Sequence, residues 1–175
     1  MGQAMVNSSQ QSSASILQDA YRLLSLVAGD SVILSMGTLQ DPLMRLRNEF
    51  LMGELVRLLL STAAMSRIRN EQLKKRRDER AQPGLHSGEE DECGTLWPDI
   101  MEQVEIPLTF QEACDRIIHA NDIVREAAGG PTEIPISSNI ILKGRFEGRA
   151  WAAHIDIVAY VRACAKSIEE PNDLD

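Results

Sequence analysis

Positive charge is in short supply. The 175-residue chain carries 18 Lys and Arg against 26 Asp and Glu, a formal net charge of −8. Neutralising phosphates needs Lys and Arg in excess, so a uniformly basic nucleic-acid binder is excluded. Cysteine is scarce as well. Cys93, Cys114 and Cys164 are widely spaced, with no C-x-x-C. That leaves neither a zinc ribbon nor a disulfide framework, and reduced thiols are the simplest account. No apolar run approaches the roughly 18–20 residues that span a bilayer. The longest, around Leu58–Met65, is flanked by Arg57 and Arg67. The opening MGQAMVNSSQQSSAS lacks the charged and apolar regions of a secretory leader. Val6 stands where a myristoylation motif has Ser or Thr. These absences predict a soluble, cytoplasmic protein with no membrane partner.

Catalytic signatures are missing too. There is no H-x-x-x-H or H-E-x-x-H pair, no Gly-rich loop ending in Lys-Ser or Lys-Thr, and no nucleophile elbow. No metal or cofactor is therefore expected. What is present is ordinary for a globular chain: 43% hydrophobic and 25% charged residues, enough for one domain. The charge is unevenly placed. Residues 41–82 hold ten basic and six acidic residues, whereas residues 83–115 hold nine acidic and no basic ones. Two such segments can steer a partner or neutralise each other.

Periodicity predicts the elements. Residues 1–12 are Ser/Gln-rich and read as a disordered lead-in to one domain over 13–170, with an acidic tail at 171–175. Ile16, Leu17, Ala20, Leu23, Leu24 and Val27 recur at helical spacing, with Gly29 as a stop. Residues 30–40 then read as a connection. Asp41-Pro42 opens the strongest helix, whose stripe runs through Leu43, Leu46, Phe50, Leu51, Leu55, Leu58, Leu59, Thr62, Met65 and Ile68. Residues 82–107, punctuated by Pro and Gly and carrying Glu89-Glu90-Asp91-Glu92, read as a long acidic loop. Thr109 with Glu112 forms a capping box for a helix running to Ala128. Ile140-Ile141-Leu142, Phe146 and Trp151 around Glu147-Gly148 suggest a β-hairpin. A last helix starts near His154 or Asp156 and ends near Ile168. The expected fold is thus mainly α: a bundle of three to four main helices with one β-hairpin inserted before the last helix.

One polar column draws attention. Glu112, Asp115, Arg116, His119, Asp122 and Glu126 lie three or four residues apart on the third helix, opposite Phe110, Cys114 and Ile117. Asp115 could hold the His119 imidazole in one tautomer, and Arg116 could bind a phosphate bidentately. His with Arg is a workable pair for metal-free phosphodiester cleavage, one shuttling the proton and the other stabilising the charge. Such mixed faces are more often simply solvated. Lys74, Lys75, Arg76 and Arg77 in KKRRDER are the candidate nucleic-acid contacts, against the plainer reading of a solvated helix end.

The segments DPLMRLRNEFLMGELVRLLLSTA, LTFQEACDRIIHAND, FEGRAW and HIDIVAYV resemble small bacterial helical proteins of the HEPN type, over about residues 13–168. That resemblance implies a helical bundle, often dimeric. It also implies a toxin–antitoxin or anti-phage setting, in which many members are metal-independent ribonucleases and others are non-catalytic. The family motif sets an Arg several residues before the His. His119 matches that His, whereas Arg116 is only three residues before it and Glu112, Ala113 and Cys114 occupy the place of the motif Arg. Two functions follow. The expected one is a non-catalytic interaction or assembly protein that associates with itself or with a protein partner. The alternative is a metal-independent endoribonuclease acting on RNA through His119, Arg116 and Asp115.

Overall fold

The computed structural model describes residues 2–36, 40–79, 91–125 and 139–169. It begins with two long helices, α1 (Gly2–Met36) and α2 (Pro42–Glu79), packed as a helical hairpin. On α1, Ile16, Ala20 and Leu23 face inward and are buried. On α2 the buried line is Leu51, Leu55, Leu58, Leu59, Thr62 and Ala63. Each such aliphatic side chain contributes about 1.5–3 kcal/mol when taken fully out of water. The start of α2 is as the sequence suggests: the Asp41 carboxylate accepts from the Leu43 amide at 2.8 Å and Pro42 follows it. The end of α1 is not. The helix passes through Gly29 and continues to Met36, and it also covers residues expected to be a disordered lead-in.

The second half departs further from expectation. It contains β1 (Glu92–Trp97), β2 (Ile106–Thr109), α3 (Phe110–His119), β3 (Asp122–Arg125), β4 (Asn139–Phe146), β5 (Arg149–Asp156) and α4 (Ile157–Glu169). The strands form one antiparallel sheet in the order β2-β1-β5-β4-β3. The expected bundle with a single hairpin is therefore corrected, among the described residues, to four helices and a five-stranded sheet. The β4–β5 hairpin exists, closed by Glu147 and Gly148 with φ of 49° and 84°. Two successive left-handed residues fit the tight turns that match strand twist. That hairpin recruits β1 on one side and β3 on the other, which the isolated hairpin reading omitted.

Two corrections follow, and one boundary falls beside the expected Asp156. The segment 82–107 is not one loop, because β1 and the start of β2 lie within it; residues 82–90 lie outside the described residues. The third helix stops at His119 rather than Ala128, because Asp122–Arg125 pairs with β4 and the Asn121 amide donates to the Lys143 carbonyl. The last helix starts at Ile157, where the Asp156 carboxylate caps it by accepting from the Val158 and Ala159 amides at 2.8 and 3.1 Å.

One face of the sheet is greasy. Leu96, Leu108, Ile140, Leu142, Trp151, Ala153 and Ile155 are buried, and α3 and α4 cover them. The hairpin of α1 and α2 stacks on α3 and α4 in turn. Strand alternation sends Thr95, Trp97, Ile141, Lys143 and His154 to the other face. Tyr160 of α4 ties the layers together. Its ring lies 5.6 Å from Phe110, and its hydroxyl is 3.1 Å from Thr62 Oγ1 and 3.9 Å from Cys114 Sγ. All three thiols are buried and free. Burial pushes each of them up to about 12.

Candidate functional site

The polar column begins well placed. Thr109 is extended (φ −71°, ψ 160°) and its hydroxyl accepts from the Glu112 amide at 3.3 Å. Glu112 Oε2 accepts from the Thr109 amide at 3.4 Å, completing the capping box. Phe110, Ala113, Cys114 and Ile117 turn inward. His119, the last residue of α3, is exposed.

The expected trio then diverges. Asp115 points to α2, where Arg67 Nη1 donates to its Oδ1 at 3.0 Å. Arg67 is shared, since its Nε also donates to Glu71 Oε1 at 3.2 Å. Arg116 points instead to the sheet, its guanidinium carbon 5.0 Å from the centre of the Trp151 ring. That cation–π contact occupies the guanidinium face. Among the described residues no hydrogen bond or ion pair reaches His119. A helix that ends at residue 119 also removes Asp122 from its column, since Asp122 lies in β3 opposite Lys143. Glu126 lies outside the described residues. Lys74 and Lys75 are exposed on α2; the side chains of Arg76 and Arg77 lie outside the described residues. Among the described residues, no cluster of three His, Cys, Asp or Glu side chains could hold a metal ion. No described helix is long and apolar enough to cross a membrane.

A different surface stands out. Past Val27 on α1 and before Leu51 on α2, only Asp30, Met44 and Arg47 are buried among the described residues. Arg47 Nε donates to Asp30 Oδ1 at 2.5 Å and Nη2 to Oδ2 at 3.0 Å, so this end of the hairpin is held by a bidentate ion pair sealed from water. Around it the large apolar residues face outward: Val32 and Met36 on α1, and Leu43, Leu46 and Phe50 on α2. Leu43, Leu46 and Phe50 were expected in the core stripe. They belong to a second line, 43-46-50-53-57-60, on the opposite side of α2 from Leu51, Leu55 and Leu58. The signal was legible as two interleaved rows on opposite sides of α2. Tyr21, 71% exposed, continues the pattern on α1 with Leu17 and Leu24. Beside the α2 line runs a groove of about 520 Å³, bounded by Met52, Val56, Leu60, Ile117 and Ile123.

What this arrangement can do chemically is limited. The buried thiols are held neutral, the polar trio does not converge, and α2 carries a row of exposed apolar side chains. No family model, no curated protein and no solved structure matches this chain.

Proposed function

We propose that this chain is a non-catalytic interaction or assembly protein, working through the exposed apolar side of its helical hairpin. The carrying observation is the row of Leu43, Leu46, Phe50 and Leu60, each 39–58% exposed on a helix whose opposite side is already fully used by the core. Exposed apolar rows of this size mark interaction surfaces on soluble domains. The ribonuclease alternative has less support. It needs His119, Arg116 and a carboxylate to converge on one phosphate, while Arg116 lies on Trp151 and Asp115 on Arg67.

The test is an RNA-cleavage assay in EDTA, comparing the native chain with His119→Ala. Neither is expected to cleave. EDTA-resistant cleavage that the substitution abolishes would overturn the reading.

A further inference from the structure

We infer that the partner of the α2 row is a second copy of this chain, paired antiparallel across it, an inference that rests on the assembly reading above. The spacing of Leu43, Leu46, Phe50, Gly53, Arg57 and Leu60 alternates three and four residues. That alternation is the spacing of a coiled-coil seam, with Leu or Phe at four of its six positions. The core side of α2 is covered by α1, α3 and α4, while Leu43, Leu46, Phe50 and Leu60 still face outward.

Gly53 is the second observation. It sits exposed in the middle of α2, where Gly costs about 1 kcal/mol against Ala. Its backbone is helical, and a methyl group added there would meet nothing within 4 Å. Among the described residues nothing calls for a glycine at this point. Close approach of another backbone does. In an antiparallel pair the alternating seam positions face each other in layers. Phe50 then lies over the partner's Gly53, Leu43 against the partner's Leu60, and Leu46 along the stem of the partner's Arg57. The largest side chain of the row meets the smallest, twice, by symmetry.

Charge and area agree. The exposed ions along the row balance in sign, Arg45 and Arg57 against Glu49 and Glu54, and Glu54 pairs with Arg57 at 2.6 Å. A chain of net charge −8 thus presents a face with little net charge, on which a copy of itself meets no repulsion and a strongly charged partner finds no attraction. At roughly 200 Å² for a large side chain, the exposed parts of Leu43, Leu46, Phe50 and Leu60 come to about 400 Å². A standard interface of about 800 Å² per partner contains about 450 Å² of apolar area.

Sedimentation velocity on the full chain up to about 100 μM tests this. The native chain is expected to dimerise. Phe50→Glu is expected to weaken the dimer at least tenfold, roughly 1.4 kcal/mol. Gly53→Leu should do the same while leaving helical circular dichroism intact and the melting temperature of the monomer no lower, because the monomer has room for the side chain. The double variant Phe50→Ala with Gly53→Leu moves the bulk across the seam and should restore pairing. A monomeric native chain would overturn the inference and leave the assembly reading standing. So would a dimer that ignores all three variants. RNA cleavage, by contrast, would overturn the reading beneath it.

Discussion

Arg47→Met should be among the most damaging single substitutions in the helical hairpin. Both side chains of the Asp30–Arg47 pair are at most 1% exposed, and two donor–acceptor contacts of 2.5 and 3.0 Å join them. Removing the guanidinium takes the Arg47 charge and its two donors away from a carboxylate in a dry site. Breaking a buried pair in this way costs about 3–5 kcal/mol. For a domain whose whole stability is about 5–15 kcal/mol, that is a third or more of the total. The double variant Asp30→Leu with Arg47→Met removes both charges together. Its stability should return to within about 1 kcal/mol of the native chain, since a buried ion pair is often no better than packed hydrophobes. The assay is urea unfolding of the native chain, both singles and the double, with backbone amide exchange read at the hairpin end. The pair lies beyond the main core, so the exchange of residues 28–36 and 42–50 should accelerate first. A loss below about 1 kcal/mol for Arg47→Met, or a double variant as unstable as the single, would refute the argument.

Other outcomes follow from the same structure. Gly144→Ala would push a methyl group into the Trp151 ring; a loss of about 1–3 kcal/mol in thermal unfolding is expected, and an unchanged melting temperature would contradict that close approach. The native chain at pH 8 should leave all three thiols unreactive to a disulfide reagent, and denaturant should expose all three. Because burial raises the folded thiols to about 12 from an ordinary 9.0, the folded state keeps protons that the unfolded state loses. Stability should therefore fall as pH rises from about 9 toward 12, and a flat profile there would contradict the burial. Thr109→Ala removes the capping hydroxyl of α3 and should cost about 1 kcal/mol by urea unfolding.

Much of the helical layer was legible. Asp41-Pro42 and the Thr109–Glu112 box are local signals with local partners, and both hold where the sequence suggests. The sheet was not legible for a physical reason: its outer strands borrow stability from neighbours far away in sequence. Asp122–Arg125 is four residues long and follows a helical pattern in which Val124 fits the stripe. It becomes a strand because β4 offers Lys143 to Ile140 as a ladder. Glu92–Trp97 lies in an acidic, Gly- and Pro-punctuated stretch. It pairs because the exposed ladder of β5 stands beside it from Ala152 to Ile155. Gly29 misled in the opposite sense, since a glycine at a helix end is a stop only when packing does not carry the chain through. Here Asp30, the next residue, is anchored on Arg47, and the helix continues.

The fate of the polar column turns on the same competition. If α3 continued to residue 128, Asp115, His119, Asp122 and Glu126 would form an unbroken charged strip around one imidazole. The sheet claims Asp122 for β3 and leaves His119 at the helix end, where its neighbours three and four residues back look in two directions. Asp115 turns to α2 and Arg116 to Trp151 because those are the surfaces that α3 bridges, the hairpin on one side and the sheet on the other. Both residues thus join layers of the fold. Arg116→Ala should accordingly lower stability through the lost contact with Trp151, and Asp115→Asn should loosen α3 from α2, whether or not any substrate is present. Among the described residues, the far side of α2 is a surface that the packing of this fold leaves uncovered. There the large side chains reach water with only Gly53 and Arg57 between them, and an interaction through apolar contact has material to work with.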